Sequence, residues 1–231
     1  MATVTTPPLA ATVPEGVAPE EVVLREVPWE VYCQLRDEEA NDSVRMIYLD
    51  GDLTLMSPGI RHDRPSELLS QLVRAVAAGS GLTIMGIRTT TLRRRLGTTG
   101  KRGAGKEADS AFYLGANERR MRLCQDLDLN VDPPPDLALE VESTQAVTAR
   151  AMEVYARLGV PEVWRFRARK WSVVIHRLQG DTYVAADRSG ALPKMTSPLI
   201  LAALEHYAAS ELDEYGWFEW TRVWAQGLPE S

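Results

Sequence analysis

The alternation of apolar and polar positions divides the chain into short segments of two different periods. Residues 45–49 and 53–56 read as strands joined by Asp50-Gly51-Asp52, and Asp-Gly between apolar runs is a strong hairpin signal. Leu68, Leu69, Leu72, Val73 and Val76 recur at the spacing of one helix face. They predict a helix over 63–78, started by Asp63 and Pro65 and ended by Gly79 and Gly81. A shorter helix opens at Val27-Pro28-Trp29, where proline suits the first turn. Residues 82–87 and 89–96 are rich in strand formers, 97–105 form a Gly/Thr/Lys loop, and 108–114 and 137–141 follow as strands. A helix over 147–158 stops at Gly159. Residues 162–167, 172–178 and 182–186 form a meander with a turn at Gln179-Gly180-Asp181. Two helices, 198–209 and 211–225, finish the chain. Helices interleaved with strands predict an α/β fold in which helices pack on a mixed β-sheet.

Composition narrows the class. At 231 residues with 45% hydrophobic positions, the chain can bury a full core as one domain without disulfides or a structural metal. Cys33 and Cys124 match no metal-finger spacing and read as reduced thiols. Residues 1–21, rich in Thr, Pro and Ala, lack a basic start and a long apolar run, so they read as a flexible tail rather than a leader. No segment reaches the roughly 18 apolar residues of a membrane span. These features predict a soluble cytoplasmic protein with no membrane partner.

The net charge of −6 argues against a general polyanion binder, but the charge is unevenly spread. Arg88, Arg93, Arg94, Arg95, Lys101, Arg102 and Lys106 fall in a stretch without one acidic residue. Such a stretch is ordinarily a solvated hairpin rim; the alternative is a local nucleic-acid contact made by Arg93, Arg94, Arg95, Lys101, Arg102 and Lys106. Strand alternation puts Arg93 and Arg95 on one face and Arg94 on the other.

Two acidic tripeptides carry the candidate chemistry: Glu107-Ala108-Asp109 entering a strand and Glu140-Val141-Glu142 leaving one. Alternation makes the two acids of each tripeptide point the same way. The apolar run at 137–141 suggests a central strand covered on both faces, where a carboxylate is costly unless it is paired or bound to a cation. Magnesium or manganese suits an all-oxygen set. His62, His176 and His206 have no mutual spacing for zinc. The other readings are strand-end acids in water and acids paired with the arginines of 88–95.

The context of these acids is specific. The run Asp132-Pro133-Pro134-Pro135-Asp136-Leu137-Ala138-Leu139-Glu140-Val141-Glu142, then Tyr155-Ala156-Arg157-Leu158-Gly159-Val160-Pro161-Glu162-Val163-Trp164, resembles the signature of the Uma-two-type restriction endonuclease family, within the PD-(D/E)XK nuclease superfamily. Leu49-Asp50-Gly51-Asp52-Leu53, Met56-Ser57-Pro58, His62 and Gly105-Lys106-Glu107-Ala108-Asp109 with Phe112-Tyr113-Leu114 extend the likeness. It covers about residues 22–204, and the Gly-Val-Pro-Glu-Val-Trp run, marking a helix end and strand start, is its most specific piece.

The resemblance implies a restriction-endonuclease-like fold over 22–231 and metal-dependent hydrolysis of DNA phosphodiesters, with Mg2+ or Mn2+ as cofactor. It puts the family aspartate at Asp109 and the acid of the second half at Glu140. Ala108 stands where proline is usual, Ile47 where many relatives carry glutamate, and Glu142 where the superfamily has lysine. The implied ligands are Asp109, Glu140 and the Val141 carbonyl, with Glu107 as a further one. Glu142 would hold a second metal or orient water, and Lys106, Arg150 and Arg94 compete for the missing lysine's charge. Helix-start residues His62 and Glu67 would flank the site, although a turn and a capping role explain them as well. The alternative is a non-catalytic relative that binds nucleic acid or serves as a scaffold. A two-fold pair suits cutting of both strands, which predicts a homodimer. Tyr215, Trp217, Phe218, Trp220 and Trp224 then form a core or dimer-packing helix.

Overall fold

The computed structural model describes residues 21–229 apart from 57–59, 99 and 143–144, and gives only the backbone at 60–63, 145–146 and 169. The expected tail at 1–20 and the His62 side chain thus lie outside the described residues. Residue 21 already opens a strand, β1 (Glu21–Leu24).

Two sheets form instead of the single one expected. The first holds β1, β2 (Arg45–Leu49), β3 (Asp52–Met56), β5 (Thr91–Arg95) and β6 (Gly103–Glu107) in the order β1-β3-β2-β6-β5, antiparallel throughout. The second holds β4 (Ile84–Gly86), β7 (Ser110–Leu114), β8 (Leu137–Val141), β9 (Glu162–Arg167), β10 (Ser172–Gln179) and β11 (Thr182–Ala186) in the order β11-β10-β9-β8-β7-β4. Only β8 and β9 run parallel in it. The helices are α1 (Trp29–Asp37), α2 (Ile60–Gly79), α3 (Gly115–Met121), α4 (Gln145–Leu158), α5 (Ser197–Ala209) and α6 (Glu214–Gly227).

Local chemistry explains most of these elements. Asp50 and Gly51 both take positive φ, 47° and 101°, as the two central residues of a tight hairpin require. The apolar stripe of α2, from Leu68 to Val76, is buried as its spacing predicts. Strand β8 is covered on both faces: Leu137, Leu139 and Val141 pack with α2, α5 and α6 residues, and Ala138 packs with Val147, Ala151, Val154, Tyr155 and Leu158 of α4. Glu140 therefore points to the α4 side. Helix α4 carries the chain between the parallel strands and also packs against β2, β5 and β6 of the first sheet. It ends at Gly159, whose φ of 77° suits a glycine cap. The following Glu162 is a buried anchor, accepting from the Trp164 indole at 2.7 Å and the Gly190 amide at 2.6 Å.

The loop expected at 97–105 is partly a strand. β6 begins at Gly103, and aromatic rings press close against its glycines. A Cβ on Gly105 would sit 2.3 Å from the Tyr32 hydroxyl, and one on Gly103 2.3 Å from the Trp29 ring. Tyr32 stacks in turn on Tyr48, with centroids 4.7 Å apart. Glycine within a strand marks such a close approach. The aromatic end of the chain is a core helix: Trp217 is fully buried and its indole donates to the Ala203 carbonyl at 3.0 Å. Among the described residues no helix is long and apolar enough to cross a membrane.

Candidate active site

Strand β6 ends at Glu107 and β7 starts at Ser110, in the other sheet. The chain changes sheet across Ala108 and Asp109, and the two-residue parity changes with it. The expectation that Glu107 and Asp109 share a face fails for this reason. Glu107 turns away and is clasped by Arg36 at 2.5 Å, with both side chains buried, and by the Met46 amide at 3.2 Å. Asp109 turns toward β8 and accepts the Val141 amide at 2.7 Å. Ser66 of α2 donates to the Asp109 carbonyl at 3.1 Å, which fixes the helix against this turn.

The preceding residue, Lys106, projects from the opposite face of β6 to Glu107. It is 3% exposed, and its ammonium donates to Glu140 Oε2 at 2.5 Å and to the Tyr155 hydroxyl at 3.1 Å. Tyr155 in turn donates to Glu140 Oε2 at 2.8 Å. Lys106 also lies 4.4 Å from the centre of the Tyr155 ring. Two sheets and one helix thus deliver one ammonium, one phenol and one carboxylate to a buried point beside Asp109.

Burial, then the nearby Glu140 charge, pushes the Asp109 carboxyl up to about 6. Lys106, the Val141 amide and Arg45 pull it the other way without cancelling the rise. Burial and the same two carboxylates hold the Tyr155 phenol well above its ordinary range, so it stays a hydrogen-bond donor. Asp109 also lines a cavity of about 610 Å³ together with Arg45, Ser66, Glu67, Ser70, Arg74, Arg88, Thr89 and Ser110. Asp109, beside the buried pair, therefore gives the site an open side.

The other expected site residues lie elsewhere. Glu142, just beyond β8, is held by Arg167 at 3.0 Å and Arg165 at 3.9 Å. Arg150 reaches Asp52 at 3.5 Å, and Arg94 donates to the Leu129 carbonyl at 2.6 Å. Of the three candidates for the missing lysine, only Lys106 meets Glu140. Arg93 and Arg95 do share a face, but it faces α1, where they pair with Asp37 at 2.7 Å and Glu30 at 2.6 Å. Lys101 pairs with Glu26, and Arg102 is exposed. Tyr155, Arg45, Arg74 and Ser66 carry no separate signal in the sequence. For Tyr155 alone there is a clue, a polar-tipped ring on the buried stripe of α4 within the run that carries the resemblance.

Among the described residues no group of three or more acidic, histidine or cysteine side chains converges to hold a metal ion. The donor set is two carboxylates, and its chemistry fits magnesium. That ion commonly binds through one or two carboxylates and completes its shell with water and substrate phosphate. The raised Asp109 reflects unrelieved burial and repulsion, which a cation would relieve.

A family model, Uma2, described as "Putative restriction endonuclease", matches residues 29–210. Among solved structures, the "crystal structure of a putative nuclease belonging to DUF820" from Anabaena variabilis matches at a TM-score of 0.42 and 16% identity. That match covers 76% of this chain and 90% of the other. No curated protein matches the chain.

Proposed function

Because this chain belongs to the Uma2 family of restriction-endonuclease type, we propose that it is a metal-dependent endonuclease that hydrolyses DNA phosphodiesters at Asp109, Glu140 and Lys106. The observation that carries this reading is the Lys106–Glu140 pair. An ammonium from β6 stands on Glu140, the carboxylate two residues before Glu142, which occupies the place of lysine. This contact supports an acid–acid–lysine set whose sequence spacing is broken.

Asp109, Glu140 and the Val141 carbonyl would hold Mg2+ or Mn2+, which supplies charge neutralisation at the phosphoryl group and a more acidic water. Both donors to Glu140 fall on Oε2, so Oε1 would be the oxygen available to a cation. Tyr155 fixes the orientation of Glu140. Lys106 sets the local positive charge and positions a water or a phosphate oxygen beside Asp109. Glu107, Glu142 and Arg150 have no part in this scheme, since each is engaged by another partner. Cutting of both strands suits a homodimer, and light scattering that gives a monomer at every concentration would reject that part.

Purified protein incubated with supercoiled plasmid and magnesium or manganese is expected to nick and linearise it. Chelator and Asp109→Asn should each abolish cleavage. Cleavage that survives Asp109→Asn would overturn the assignment. Glu142 held by two arginines favours one alternative, a non-catalytic relative. That reading predicts DNA binding with no cleavage under any divalent metal.

A further inference from the structure

The basic residues of the molecule differ in whether an acid answers them. Arg93 and Arg95 are neutralised by acids of α1, and Lys101 by Glu26. Arg45, Arg74 and Arg88 have no ion-pair partner among the described residues, yet all three line the cavity that Asp109 opens into. Arg74 lies with its guanidinium 5.5 Å from the Phe112 ring centre. It also fills the space over Gly86, where a Cβ would come within 2.2 Å of its terminal nitrogen. The ring and the glycine thus orient Arg74 without an acidic partner. Arg88 sits at φ 48°, a backbone conformation that favours glycine, and its side chain is exposed at the cavity. The hydroxyl residues Ser66, Ser70, Thr89 and Ser110 line the same space.

Three guanidiniums around one cavity repel each other, and Glu67 and Asp109 are the acids facing them there. A further anion relieves that repulsion, and guanidinium forks match phosphate oxygens. We infer that Arg45, Arg74 and Arg88 form the phosphate-backbone clamp for a polynucleotide, and that the strand enters over this cavity instead of over Arg93 and Arg95. This rests on the nuclease reading for its substrate class and deepens it by locating the strand. The cavity sits between α2, the start of β2, the turn after β4 and the start of β7, and Asp109 lines it together with the arginines.

The test reads binding, so it is independent of catalysis. Anisotropy of a fluorescein-labelled duplex oligonucleotide is measured with chelator present, across a salt series, for wild type and two sets of variants. Combining Arg45→Gln, Arg74→Gln and Arg88→Gln should flatten the log–log salt slope by roughly 0.9 for each phosphate that is no longer neutralised. Arg88→Gly alone changes an exposed residue at a glycine-favouring φ, so it keeps the fold while removing one guanidinium from the clamp. Arg93→Gln with Arg95→Gln should leave slope and affinity near wild type. A cavity that takes only free phosphate shows itself when inorganic phosphate at millimolar concentration competes as well as an oligonucleotide of equal phosphate content; that result overturns the polynucleotide assignment. An unchanged slope in both Arg88→Gly and the triple variant, or a loss confined to the Arg93 and Arg95 variant, overturns the clamp. Binding through the three arginines by a protein that never cleaves leaves the clamp standing and rejects the nuclease reading.

Discussion

Lys106 and Glu107 are neighbours on β6, face opposite ways, and each makes a buried ion pair at 2.5 Å. The two pairs differ in how completely their atoms are used. Glu107 takes Arg36 on one oxygen and the Met46 amide on the other. Arg36 also donates to the carbonyls of Val44 at 2.7 Å and Asn41 at 3.1 Å. That clasp is closed and holds α1 to the first sheet. The Lys106 pair concentrates its donors on one oxygen of Glu140, next to a carboxyl pushed up to about 6 and an arginine-lined cavity. Buried charge alone therefore does not mark a site. The mark is a charged group whose bonding is left incomplete on the side facing a cavity.

The largest effect expected is on stability. Arg36→Met leaves Glu107 uncompensated and should cost about 3–5 kcal/mol in urea unfolding, with no recovery on adding magnesium. Lys106→Met should also lose stability in chelator, and millimolar magnesium or manganese should restore much of it, because a bound cation replaces the ammonium. Rescue of both variants, or of neither, would break the distinction between the closed and the open pair.

Next in size is the backing of the closed side. Gly105→Ala forces a methyl against the stacked Tyr32 ring and should cost about 1–3 kcal/mol. Metal affinity should not change, as read by calorimetric titration of the folded variant. A weakened metal isotherm at full folding would show that the two faces of β6 are coupled.

A smaller effect separates charges by pH. Burial first, then Arg165 and Arg167, lowers the His176 imidazolium from 6.5 to about 4. The unfolded chain takes up a proton as pH falls below about 6.5, and the folded chain refuses it until about 4. Stability is therefore lost as pH drops through that window. Asp109 works oppositely: its folded carboxyl protonates first, so its contribution grows as pH falls from about 6 toward its ordinary value. His176→Gln should flatten the acid-side decline in thermal melts recorded in chelator, and Asp109→Asn should steepen it. Curves that overlay wild type between pH 4 and 6.5 would contradict these assignments.

The smallest effect is expected where charges pair in the open. Asp37→Asn removes the partner of Arg93 at the surface and should shift stability by less than about 1 kcal/mol, and Glu30→Gln, which frees Arg95, should shift it little. A loss of several kcal/mol in denaturant unfolding would make that row as structural as the Arg36 clasp.

What the sequence disclosed was governed by local chemistry. The Asp50-Gly51 turn, the stripe of α2, the Gly159 cap and the double burial of β8 each depend on neighbours a few residues away. Asp109 and Glu140 are legible through their motif. The geometry around them is not, for two reasons. Parity counting fails across Ala108, where the chain passes between sheets. Gly103 and Gly105 look like loop residues until the Trp29 and Tyr32 rings that require them are in place. Lys106 consequently reads both as part of a basic rim and as one of three stand-ins for the missing lysine, and only the fold puts its ammonium on Glu140. The arginines of β5 read as free because Asp37 and Glu30 lie 56 and 65 residues away along the chain.

The central claim is that the open pair beside Asp109 is a metal-dependent catalytic centre. The most direct measurement is an anomalous difference map from crystals soaked in manganese. The account predicts one dominant peak bonded to Asp109 and to Glu140 Oε1, with the Lys106 ammonium and the Tyr155 hydroxyl still on the Glu140 side. A map with no peak there, or with manganese bound elsewhere while Asp109 keeps only its Val141 contact, would contradict it.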